Sequence, residues 1–219
     1  MPNLRAAVVV DYQNVHLVGA GIFYPNAPKH EYLIHPLHYA NRLISTRNTN
    51  QRDGQPDAEL AKVLVYRGLP SADNDPKPYA RNLAQKTDWE RDPRVKVTLR
   101  PLKYTYERTA DGHKATDANG QPIVKDRQEK GVDVLCALAL MRESQLQDVD
   151  LVILASQDTD LEPALDEAIS LGTAKIETAS WFDSRNYRAT REIRPSVRRI
   201  WNTRLDANAF MASRDSSAY

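Results

Sequence analysis

A single cysteine, Cys136, stands among 219 residues, which excludes an intramolecular disulfide framework and a thiolate zinc site. This scarcity fits a reducing compartment, and a cytoplasmic address is the resulting expectation. No apolar run approaches the roughly 20 residues that a spanning helix needs, so no membrane partner is expected. Mean hydropathy, at −0.60, agrees. The stretch MPNLRAAVVVD has too short an apolar part, followed too soon by an acid, for the h-region of a signal peptide, and reads as a first strand. An excess of one charge is missing as well. Against 30 Lys and Arg stand 29 Asp and Glu, so any nucleic-acid site must come from local segregation of charge. Internal repeats and low-complexity blocks are absent. Neither GxGxxG nor GxxxxGK[ST] occurs, which argues against a dinucleotide cofactor or P-loop chemistry. His16, His30, His35, His38 and His113 form no metal-ligand spacing.

What is present is an alternation of short aliphatic runs with helical patterns, the mark of a parallel sheet covered on both faces. Strands are expected at Ala6 to Val10, Ala61 to Tyr66, Val95 to Leu102, Leu151 to Ala155 and Ala174 to Ser180. Helices are expected over Pro36 to Thr46, Pro78 to Glu90, Val132 to Gln145 and Thr159 to Leu171, the last stopped by Gly172. Two segments break the rhythm. Tyr104 to Gln128 carries the turn signals Asp111-Gly112 and Asn119-Gly120 and reads as an inserted β-ribbon. The tail after Trp181 is the one clearly basic region, and its last residues, SRDSSAY, read as a frayed end.

Strand ends carry the acids. VVVDYQN puts Asp11 at the carboxyl end of the first strand and Asn14 three residues on, where open α/β sheets build their sites. LVILASQDTD puts Asp158 and Asp160 at the equivalent end of the fourth strand, and EKGVDV sets Asp133 near the start of the preceding helix. Each acid alone has an ordinary explanation as a helix cap, a first-turn acid or an Asx turn. Thr159 and Glu162 also fit a capping box. Jointly the acids point elsewhere: with strands one and four adjacent, four carboxylates converge, and the usual remedy for their repulsion is a hard cation such as Mg²⁺ or Mn²⁺.

These ordered motifs, VVVDYQNVH, then EKGVDV opening a helix, then LVILASQDTDLEPAL before a Gly172-terminated helix, resemble the NYN domain. That family belongs to the PIN-like ribonucleases, related in fold to flap nucleases. The resemblance implies a three-layer α/β sandwich with a mainly parallel sheet of strand order 3-2-1-4-5, and metal-dependent hydrolysis of RNA phosphodiester bonds. It implies metal-binding roles for Asp11, Asp133, Asp158 and Asp160, with Asn14 orienting Asp11 or contacting the scissile phosphate. Residues 1–182 would be the nuclease domain, interrupted by the ribbon at 104–128, and residues 183–219 a basic C-terminal extension. The chain departs from the family at Ala139, where many relatives carry a further acid, and at Leu161, where they carry an aromatic residue.

Single-stranded RNA is the expected partner, held by cationic clamps and aromatic stacking. Arg188, Arg191, Arg194 and Arg198 recur at three- or four-residue intervals that suit one helix face, although Pro195 interrupts a long helix, and Lys130 adds a cation beside Asp133. Trp181 and Trp201 read as packing residues, and His16 as a loop or helix-surface residue. A homodimer or a protein partner is left open. Two other functions compete. One is an RNA-binding or regulatory PIN-like module with little catalysis. The other is a haloacid-dehalogenase-like phosphatase using Asp158-Thr159-Asp160, although that pair normally follows the first strand.

Overall fold

The run LRAAVVVD forms β1 (Leu4–Asp11) at the centre of the molecule, its last six residues buried on both faces as a central parallel strand requires. A computed structural model describes residues 2–28, 31–186, 191–217 and 219. On one side of β1 lies β2 (Ala58–Leu69), followed by β3 (Val95–Pro101). On the other lies β6 (Leu151–Ala155), followed by β7 (Lys175–Trp181) and β8 (Asn202–Leu205). The six strands, in the order β3-β2-β1-β6-β7-β8, are parallel throughout.

Alternation along β1 divides the core. Ala6, Val8 and Val10 face α1 (Tyr12–Phe23), α2 (Pro36–Asn50), the Trp89 end of α3 (Pro76–Trp89) and α6 (Ala207–Ala212). Ala7 and Val9 face α4 (Val132–Glu143) and α5 (Glu162–Leu171). Helices thus cover both faces of the sheet, as the sequence pattern requires. Among the described residues no helix is long and apolar enough to cross a membrane.

The expected ribbon is present as β4 (Lys103–Tyr106) paired antiparallel with β5 (Val124–Gln128), with Gly112 and Gly120 in the left-handed backbone region at the turns. Its base is fixed by Asp75, which accepts from the Tyr104 hydroxyl at 2.6 Å and from Arg127 at 2.7 Å. Gly172 ends α5 for a different reason from the one expected. Its φ is −77°, and a Cβ there would lie 2.5 Å from the Ala168 carbonyl oxygen, so close approach excludes a side chain.

The tail departs most from expectation. Part of it joins the sheet: β8 pairs with β7, and α6 packs against β8 and α2. The SRDSSAY end is anchored: Asp215 accepts from the Trp89 indole N–H at 2.8 Å and from the Tyr219 hydroxyl at 2.7 Å. The shared helix face for the tail arginines is also absent, since residues 191–200 form no helix and Arg188 lies outside the described residues. Pro195 in that short segment denies the backbone a helical hydrogen bond.

Candidate functional site

Pairing of Val10 with Ala155 sets the ends of β1 and β6 side by side, so Asp11 and Ser156 meet just past the register. The Ser156 hydroxyl donates to Asp11 Oδ2 at 3.0 Å and accepts from the Asp158 amide at 3.1 Å. Asp11 also caps α1, its Oδ1 accepting from the Asn14 amide at 3.3 Å. Asn14 in turn accepts from the Gln157 amide at 2.8 Å through Oδ1. Gln157 extends the chain of contacts, donating to the Arg191 carbonyl at 2.7 Å and accepting from the Trp181 amide at 3.0 Å. One hydrogen-bonded network therefore joins the ends of β1, β6 and β7 to the basic tail.

Asp11 is 5% exposed. Burial pushes its carboxyl up to about 6, the charges of Asp158 and Asp133 add to the rise, and the bonds from Asn14 and Ser156 oppose it. Asp133 sits half-buried in the first turn of α4, behind Gly131, whose φ of 76° turns the chain into the helix. A Cβ at Gly131 would also lie 3.0 Å from the Arg100 guanidinium. Asp160 differs from the other three acids. It is exposed on the short 3-10 turn Thr159–Leu161, where Asp158 acts as the cap and accepts from the Asp160 amide at 3.1 Å. The Thr159–Glu162 capping box is replaced by this Asp158 cap.

Two groups beside these acids escape a motif-based reading. Glu129, four residues before Asp133, accepts a hydrogen bond from the Gly68 amide at the end of β2. Burial pushes its carboxyl up to about 7, Asp11 and Asp133 add to the rise, and Arg67 opposes it. Arg67 is held by Gln85 and Asn82, each at 2.9 Å, with its guanidinium 4.4 Å above the Tyr12 ring. Cys136 lies underneath, its thiol pushed far up by burial and by the charges of Asp11, Glu129, Asp133 and Asp158. It is held protonated and unreactive.

The donors around Asp11 are carboxylate oxygens, the chemistry that hard divalent cations prefer. Among the described residues, however, no three His, Cys, Asp or Glu side chains are grouped closely enough to hold an ion. The oxygens of Asp11 and Asp158 are turned to Ser156, Asn14 and Asp160 instead. Ala139, where the resemblance to the NYN domain would place a further acid, is 1% exposed and packed in the core.

Of the proposed RNA contacts, Arg191 is tied to the strand ends through its carbonyl, which accepts from Gln157. Arg194 pairs with Glu192 at 3.7 Å, while Arg198 and Lys130 are exposed. His16 is 8% exposed on α1, not on the surface, and Trp181 is buried as expected.

No family model matches the chain, and no curated protein matches it. A solved structure of a protein of unknown function from Vibrio parahaemolyticus is similar at 19% identity over 81% of each chain, with a TM-score of 0.41.

Proposed function

We propose that this chain is a metal-dependent ribonuclease of the PIN-like kind, hydrolysing phosphodiester bonds of single-stranded RNA with Mg²⁺ or Mn²⁺. The observation that carries the reading is the meeting of Asp11 and Asp158 around Ser156 at the adjacent carboxyl ends of β1 and β6. The strand order supports it, since β1 lies between β2 and β6, as the resemblance to the NYN domain implies. Asp11 further supports it as a buried carboxylate surrounded by like charge, a situation that a cation relieves.

A divalent cation, when bound, would draw on the carboxylates of Asp11, Asp158 and Asp133 once these are brought together on it, and would supply Lewis acidity and a water of lowered pKa. Asn14 keeps the β1 and β6 loops together through Gln157, and so fixes the spacing of the two aspartates. Loss of the Asp11 proton near pH 6 prepares the site for the cation. The tail, joined through Arg191, brings cations toward the substrate backbone.

Incubation of the purified protein with single-stranded RNA in Mg²⁺ or Mn²⁺ tests the reading. Cleavage lost in Asp11→Asn and in Asp158→Asn, with the fold kept, is the expected result. Tight RNA binding without cleavage in either metal would replace it by a binding module, a reading that buried Ala139 favours. Release of phosphate from small monoesters, through a phosphorylated Asp158, would replace it by the phosphatase.

A further inference from the structure

At the amino-terminal ends of β7 and β8, opposite the Asp11 end of the sheet, two adjoining hollows of about 280 and 610 Å³ share Arg52 and Trp201. Lys175 opens β7, and the Trp201 carbonyl accepts from the Thr178 amide at 3.0 Å, which fixes the strand that follows the tryptophan. The floor is built from a buried ion pair, Arg47 to Glu177 at 3.2 Å, to which Lys175 adds a second cation at 2.8 Å. Glu177 is thereby neutralised twice. Glu192 is likewise engaged by Arg204 at 2.5 Å.

Five cations line the two hollows, namely Arg47, Arg52, Lys175, Arg199 and Arg204, against the two carboxylates Glu177 and Glu192. Arg52 and Arg199 are exposed and form no ion pair among the described residues. Trp201 is half-buried with its N–H on Thr203 at 3.2 Å, and among the described residues it stacks on no ring, whereas Trp181 packs among Phe23, Tyr39 and Phe210. A planar apolar face beside two unneutralised guanidinium groups matches a ligand with a flat ring and an attached phosphate.

We propose that this cleft binds a nucleotide unit, its base stacked on Trp201 and its phosphate held by Arg52 and Arg199. The unit is either a free mononucleotide or one residue of a single-stranded RNA. The site lies at the far end of the sheet from Asp11, so it stands or falls independently of the ribonuclease reading.

Binding is read in EDTA, without turnover, by tryptophan fluorescence and calorimetry with adenosine monophosphate, a short oligoadenylate and inorganic phosphate. Trp89 and Trp181, at 1% and 2% exposure, are shielded, so quenching reports Trp201. The expected result is quenching by the nucleotide or the oligonucleotide. Affinity should fall about tenfold in Trp201→Ala and be largely kept in Trp201→Phe, and Arg52→Ala with Arg199→Ala should lose most of the salt dependence. Quenching by both ligands identifies a free mononucleotide as sufficient, and quenching by the oligonucleotide alone identifies a strand. Absence of quenching by both, phosphate binding as tightly as the nucleotide, or unchanged affinity in a folded Trp201→Ala would each overturn the proposal.

Discussion

The hydroxyl of Ser156 donates to the Asp11 carboxylate at 3.0 Å across the β1–β6 boundary, while its oxygen accepts from the Asp158 amide. A single serine thus fixes the relative positions of the two acids on which the proposed chemistry rests. It also gives Asp11 too little compensation, since burial still raises the carboxyl to about 6.

The first prediction follows from that raised value. A carboxyl that titrates near 6 when folded and near 3.8 when unfolded binds more protons in the native state, so stability falls as pH rises between those values. The loss at neutral pH is on the order of 2–3 kcal/mol. Denaturant titrations in EDTA should find Asp11→Asn more stable than the natural protein at pH 8, with the difference shrinking toward pH 4. An equal difference at both pH values would mean that the buried charge is compensated elsewhere.

The second prediction concerns metal. If Asp11, Asp158 and Asp133 take a divalent ion, Mn²⁺ must stabilise the native state, by about 2.7 kcal/mol at one hundred times Kd. Melting in millimolar Mn²⁺ and in EDTA should differ for the natural protein and coincide for Asp158→Asn. Binding should also weaken below pH 6, where Asp11 holds its proton. An unchanged midpoint in the natural protein would reduce the acids to caps.

Asp11 and Asp158 were legible because a strand's carboxyl end is visible in sequence as the first acid after an aliphatic run. Glu129 and Arg67 were not, since what makes them notable is burial against each other's elements. The contact between Glu129 and Gly68 spans 61 positions. The helix α1 was hidden by its two glycines, which lower helix propensity; Gly19 is required there because a Cβ would lie 2.6 Å from the Phe210 ring. Likewise β8 has only four residues, and its place was masked by the surrounding arginines, whose charge suggested an appendage instead of a sheet edge.

A third prediction tests the anchored C-terminal end. Asp215→Ala leaves the buried Trp89 N–H without its acceptor, a loss of about 1–3 kcal/mol. Asp215→Asn, which keeps an acceptor oxygen, should cost less. Chemical denaturation measures both, and a neutral Asp215→Ala would show that the end contributes nothing to the core.

The last prediction concerns Arg47 and Glu177, whose side chains are 2% and 0% exposed, the most deeply buried ion pair among the described residues. The guanidinium also donates to Gln51 at 2.6 Å and to the Pro56 carbonyl at 2.9 Å, so its donors are well used. Removing one partner strands the other charge in the interior, at a cost of about 3–5 kcal/mol, whereas replacing both by apolar residues of similar volume removes the desolvation penalty with the attraction. Glu177→Leu alone should therefore be strongly destabilising, because it leaves the buried Arg47 guanidinium with only neutral acceptors, and Arg47→Met less so, because Lys175 still pairs with Glu177 at 2.8 Å. The double variant should recover most of the loss. A double-mutant cycle in denaturant measures the coupling, and additive effects of the two substitutions would show that the pair contributes no interaction energy of its own.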